Sequence, residues 1–292
     1  MKLFLSILFT VLTTALVAQP SLVKQATINT TTNVIAPEEE DVQNLQNSQG
    51  QGPGGMNFRN MMDGETKFVT YLKNNLVKTQ IKSEMGRSTI FRDNDQKRTT
   101  TIIEMMGNKM GFYITDAEQV EMQQKRDSMM RERRAKDTAA AKRPAQPANY
   151  EPEINISYTT ENKKIAGYAC TKAYVITTRF LGRKDTTTVW YTNAFKMQNI
   201  SSTGGFSGMG MMGGNMMGGA LNGLDKIDGF VMRYEANMPR GRRMEVEVTK
   251  VDLTSNINDK EFDLPKDIEI KPMKEMQGMF GGGRGMMRGM RD

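Results

Sequence analysis

The feature that most restricts this chain is a two-residue alternation of apolar and polar side chains, broken repeatedly by turn residues. From Leu76 to Met85, Val77, Ile81 and Met85 share one side with Thr79 and Ser83, against Lys78, Gln80, Lys82 and Glu84 on the other. A period of two is strand spacing, and a strand with one dry side requires a sheet with a buried face. Ser88 to Arg92, Thr99 to Met105 and Lys109 to Thr115 continue the series, separated by the turn formers Asp93-Asn94-Asp95 and Gly107-Asn108. The spacing predicts an antiparallel meander.

The second half repeats the pattern around Lys163 to Thr192. After the turn at Gly167, Tyr168, Cys170, Tyr174 and Ile176 point one way, and Ala169, Thr171, Ala173, Val175 and Thr177 the other. A loop with Gly182 and Asp185 leads to Thr186–Thr192, dense in Thr, Val, Trp and Tyr, so the two runs read as a hairpin. Ile154 to Thr159, Gly229 to Glu235 and Arg242 to Leu253 supply further strands, and Phe262, Leu264 and Pro265 close the ordered part.

One segment breaks the period. Ala117 to about Lys136 is rich in Glu, Gln, Lys, Arg and Met, good helix formers, with Asp116 placed to cap and Gln119 three residues on. Its cations, among them Lys125, Arg126, Arg131 and Arg134, alternate with Glu118, Glu121, Asp127 and Glu132, which gives a solvated helix rather than a polyanion site.

The ends read differently. Met1 to Ala18 has one charge, Lys2, and an apolar core from Leu3 to Val17, the layout of a secretory signal peptide (residues 1–18). No cysteine stands at the expected cleavage point, which points away from a lipid anchor, and no stable membrane span is expected after cleavage. The expected product is periplasmic or secreted. Residues 19–64 are polar and aperiodic and are expected to be flexible. Residues 65–268 form the expected single β domain, with a Pro-containing linker at 137–150 and a Gly/Met loop at 204–223. The Met/Gly/Arg tail, 269–292, is expected to be disordered.

Composition removes whole classes of chemistry. The chain has no histidine, which excludes Ser-His-Asp and Cys-His catalysis and histidine-ligated zinc. Its one cysteine, Cys170, cannot form an intramolecular disulfide and reads as a buried packing residue. A net charge of +7, mixed in sign along the chain, lacks the basic, aromatic-interleaved stripe of a nucleic-acid binder.

The segments EMMGNKMGFYIT (Glu104–Thr115), KKIAGYACTKAYVI (Lys163–Ile176), TTVWYT (Thr187–Thr192) and DKEFDLP (Asp259–Pro265) occur in an order and spacing that resembles the exported bacterial family called domain of unknown function 4412. That family is similar in turn to the periplasmic lipoprotein carriers of the localisation factor type. The resemblance implies a mainly β (α+β) fold: a curved antiparallel sheet or incomplete barrel with one or two helices, its concave side apolar.

The function expected is therefore non-enzymatic, with no cofactor: an exported protein that holds an apolar ligand, a lipoprotein or another envelope protein on the concave sheet face. Tyr168, Tyr174, Ile176 and Trp190 are the candidate ligand-face residues. The alternative is copper(I) or another soft metal held by thioethers of Met209, Met211, Met212, Met216 and Met217, joined by Met279, Met286, Met287 and Met290 in the tail.

Overall fold

The computed structural model describes residues 21–35, 64–84, 86–105, 107–136, 150–197, 223–238 and 241–276. In chain order the strands are β1 (Ser21–Val23), β2 (Gln25–Ile35), β3 (Gly64–Lys73), β4 (Leu76–Ser83), β5 (Gly86–Asp93), β6 (Arg98–Met105) and β7 (Asn108–Thr115). Helix α1 (Asp116–Lys136) separates them from β8 (Glu153–Ile165), β9 (Tyr168–Thr178), β10 (Lys184–Thr192), β11 (Phe195–Met197), β12 (Phe230–Asn237), β13 (Arg243–Asp252) and β14 (Ile270–Pro272). Twelve strands make one sheet in the order β14-β7-β6-β5-β4-β3-β2-β13-β12-β10-β9-β8, and β1 pairs with β11 apart from it. All neighbours in the large sheet are antiparallel except β14, which adds parallel to β7. The sheet is mainly β, mixed by one edge strand, and not closed into a barrel.

Directly opposed residues of antiparallel strands share a face, so the register traces the faces across the sheet. One row runs Met110, Ile103, Ser88, Ile81, Phe68, Thr30 and Val248 from β7 to β13. Phe68, Ile81 and Val34 pack in the same cluster as Ile154, Ile156, Ala173 and Val175 of β8 and β9. Strands so distant in the sheet order meet only if the sheet curls, which makes this the inner face.

Two stretches expected to be unstructured are not. Residues 21–35 fall within the segment expected to be flexible, yet β2 is an eleven-residue strand lying between β3 and β13. Ala26, Ile28, Thr30 and Thr32 are buried at alternate positions. The threonines make the stretch polar in composition, but their β-branched side chains suit a pleated, packed surface. The expected disordered tail is likewise structured at its start, with β14 followed by a helical turn at residues 273–276.

The helix stands where it was expected, with a different cap. Thr115 Oγ1 accepts from the Glu118 amide at 3.3 Å, and Glu118 Oε2 accepts from the Thr115 amide at 3.0 Å, a reciprocal capping box. Asp116 instead takes two hydrogen bonds from Arg92, Nη1 to Oδ1 at 2.5 Å and Nη2 to Oδ2 at 2.8 Å, tying the helix start to β5. Val120 and Met129 are exposed, as a solvated helix requires. Among the described residues no helix is long and apolar enough to cross a membrane.

After β13 the chain crosses the outside of the meander as a strap. Gln25 Nε2 donates to Ser255 O at 2.7 Å, Lys73 Nζ reaches Asp259 at 2.6 Å, Lys78 Nζ reaches Glu261 at 3.0 Å, and Lys109 Nζ reaches Asp267 at 3.5 Å. Gly111 admits the strap: a Cβ there would stand 3.1 Å from Ile270 Cγ1 and 3.2 Å from Ile268 Cγ2.

Candidate functional site

Of the four candidate ligand residues on β9 and β10, the register places Tyr174, Ile176 and Trp190 on the side away from the inner face. On β9 the buried residues are Ala173, Val175 and Thr177, which face inward with Val189 of β10. Tyr174 and Ile176 take the opposite, outer side, Tyr174 across from Thr188 and Ser157, Ile176 across from Thr186 and Asn155. Trp190 is outward too, flanked by Lys172 of β9 and Arg233 of β12. The expectation of a concave-side position is therefore corrected for Tyr174, Ile176 and Trp190, whereas Tyr168 packs in a cluster with Ile28 of the inner face. Both sides of β9 carry apolar residues, and Ala173, Val175 and Thr177 occupy the inside of the bend.

The outer residues form a cation and aromatic patch. Lys163 Nζ stands 4.3 Å from the Trp190 ring centre, and Lys172 Nζ stands 5.9 Å from it and 5.1 Å from Tyr174. Lys172 also binds Glu161 at 3.1 Å. Arg233 reaches Glu235 at 2.7 Å and Glu247 at 2.9 Å. Partial burial, followed by the Arg233 charge, pulls the Lys163 ammonium below the usual lysine value. Lysines stand over the aromatic faces and carboxylates hold Lys172 and Arg233, while Arg233 Nε is buried with no hydrogen-bond partner among the described residues.

Tyr168 and Cys170 sit at the other end of β9. Tyr168 meets Phe195 edge to face with centroids 5.0 Å apart, in a cluster that also holds Phe230, Ile28 and Leu72. Burial pushes the Cys170 thiol up to about 11, and its Sγ lies 3.4 Å from Tyr168 O. It is not an activated nucleophile.

The inner face is a different surface, and sequence reasoning recognised only part of it. Ile28, Thr70, Thr79, Ile90, Thr101 and Phe112 form a second cross-strand row, all buried. Thr70 and Thr79 hydrogen-bond through their hydroxyls at 3.2 Å. Thr32 Oγ1 and Ser88 Oγ are buried with no hydrogen-bond partner among the described residues. The signal for this surface was in the strand phase of β4 and the strands after it, but not in β2, whose part was hidden by its Thr and Asn content.

What covers the inner face differs along it. Leu224 and Ile227, in the turn before β12, pack on Val175 and its neighbours. At the β6–β7 end, Ile103 and Phe112 are covered by Met276, with Met105, Met110 and Met273 around them. A cavity of about 10 Å³ lies beside Thr30, Met232 and Val248, and another of about 70 Å³ lies on the outer side, under the strap, between Leu76, Phe91, Phe262 and Leu264.

Among the described residues no group of three or more Cys, Asp or Glu is placed to hold a metal. The thioethers of Met209, Met211, Met212, Met216 and Met217, and those of Met279, Met286, Met287 and Met290, lie outside the described residues.

No curated protein matches the chain. Two solved structures of PNGF-II are similar over 89% of this chain, the P21 form at 14% identity with a TM-score of 0.36 and the C2 form at 13% with 0.38. The chain spans about a third of their length, 34% and 33%. The model of the family described as Domain of unknown function (DUF4412) matches residues 54–268, from ahead of β3 through the strap. With the meander, the central hairpin and the strap all inside that match, the chain belongs to the DUF4412 family.

Proposed function

We propose that this is an exported, non-catalytic binding module that shelters an apolar chain inside the curl of its sheet. The observation that carries the reading is the inner row from Met110 to Val248, which crosses seven strands of a sheet whose edge strands β14 and β8 are not paired with each other. A closed barrel seals its interior with backbone hydrogen bonds along the whole seam. Here the interior is covered by side chains, which move at lower cost. The unpartnered Thr32 and Ser88 hydroxyls offer polar anchor points to the end of an otherwise greasy ligand. With no histidine in the chain and a thiol held protonated, histidine- and cysteine-based catalysis have no place in this reading.

The test is a titration of the delipidated full chain with 11-(dansylamino)undecanoic acid. Saturable enhancement of dansyl fluorescence, competed by unlabelled palmitate, is expected. A linear, non-saturating response would overturn the proposal.

A further inference from the structure

The cover at the β6–β7 end has the chemistry of a ligand. Ile103, Met105, Met110 and Phe112 form an apolar patch on the inner face next to the short edge strand β14. Into it the chain inserts Met273 and Met276 from a single helical turn directly after Pro272. Met276 is only 8% exposed, so the patch is well filled. The strap ahead of this turn is pinned outside the sheet by Lys73–Asp259, Lys78–Glu261 and Lys109–Asp267, and β14 adds backbone pairing over three residues. Those fixtures end where the turn begins. An unbranched thioether side chain fills irregular apolar space much as an acyl segment does, and yields it readily.

We infer that the β6–β7 patch is an apolar-chain subsite occupied in cis, and that Met273 and Met276 are its built-in competitor. This rests on the binding reading given above and adds to it the entry point and its control. Ligand enters beside β14, the turn swings out about Pro272, and the strap stays in place. Apparent affinity is then reduced by the fraction of molecules whose turn is docked.

The experiment uses the full chain labelled with [methyl-¹³C]methionine, as wild type and as Met273→Ala/Met276→Ala, with 11-(dansylamino)undecanoic acid as probe. Removing the two thioethers is expected to tighten binding about tenfold, the gain for a turn docked nine times in ten. In the wild type, probe should shift the Met273 and Met276 methyl signals toward solvent-exposed values. Tighter binding with shifted methyls supports the inference. Equal affinity with those methyls unmoved overturns it while leaving the binding proposal standing, and absence of saturable binding in both proteins removes the two together. Far-ultraviolet circular dichroism of the variant, and a Met273→Leu/Met276→Leu protein that keeps the bulk and should bind like wild type, separate loss of cover from loss of fold.

Discussion

Thr70 and Thr79 show how a hydroxyl is tolerated on the packed side of the sheet. They are 1% and 4% exposed and satisfy each other across β3 and β4. Replacing one strands the other, so Thr70→Val should cost about 1–3 kcal/mol in urea unfolding, whereas Thr70→Val/Thr79→Val, which removes both partners at constant shape, should come back close to wild type. A double variant no more stable than the single would show that water already serves these hydroxyls. Arg92 and Asp116 make a pair of another kind, half open to solvent. The Arg92 hydrogen bonds hold the Asp116 carboxyl below the usual range. A group depressed in the folded state adds stability that is complete above its unfolded value and is lost as pH falls through the folded one. Asp116→Asn should therefore cost at most about 1 kcal/mol at neutral pH. It should also soften the loss of stability on acidification below about pH 4, as read by thermal melts across pH.

At the scale of single elements, what could be read in advance depended on whether a strand announced its own phase. β4 did, through the alternation of Val77, Thr79 and Ile81 with Lys78, Gln80 and Lys82; β5 to β7 were marked by the turn residues between them although β6 is buried on both sides, and α1 did through its run of helix formers. β9 did not, because Tyr174 and Ile176 are as apolar as Ala173 and Val175, and only the bend of the sheet decides which set turns inward. β2 was hidden by threonine, and the cap of α1 by the competition of Arg92 for Asp116. Pairing between distant strands has no local signature at all. β2 also lies upstream of the matched residues 54–268, although it is the bridge between β3 and β13. A chain begun at residue 54 would leave β3 and β13 as bare edges and uncover Ile28 and Ala26 sites in the core. Such a protein should lose the cooperative thermal transition of the longer chain begun at residue 19 and associate in sedimentation velocity. A sharp monomeric melt would show that β2 is dispensable.

For the whole molecule, the sheet order divides the strands into two runs that the chain makes at different times. β3 to β7 follow one another with short turns, and so do β8 to β10 and β12 to β13, so each run is built from local contacts. The placement of β2 is another matter. It pairs with β3 on one side and, on the other, with β13, whose Arg243 meets Ile35 and whose Asp252 meets Thr27. β2, made early, thus waits for β13, made more than two hundred residues later. Long-range closures of this sort set the pace of folding. Until that joint forms, the inner rows of both runs stay wet and adhesive, so speed would count most in the interval between the second strand and the thirteenth.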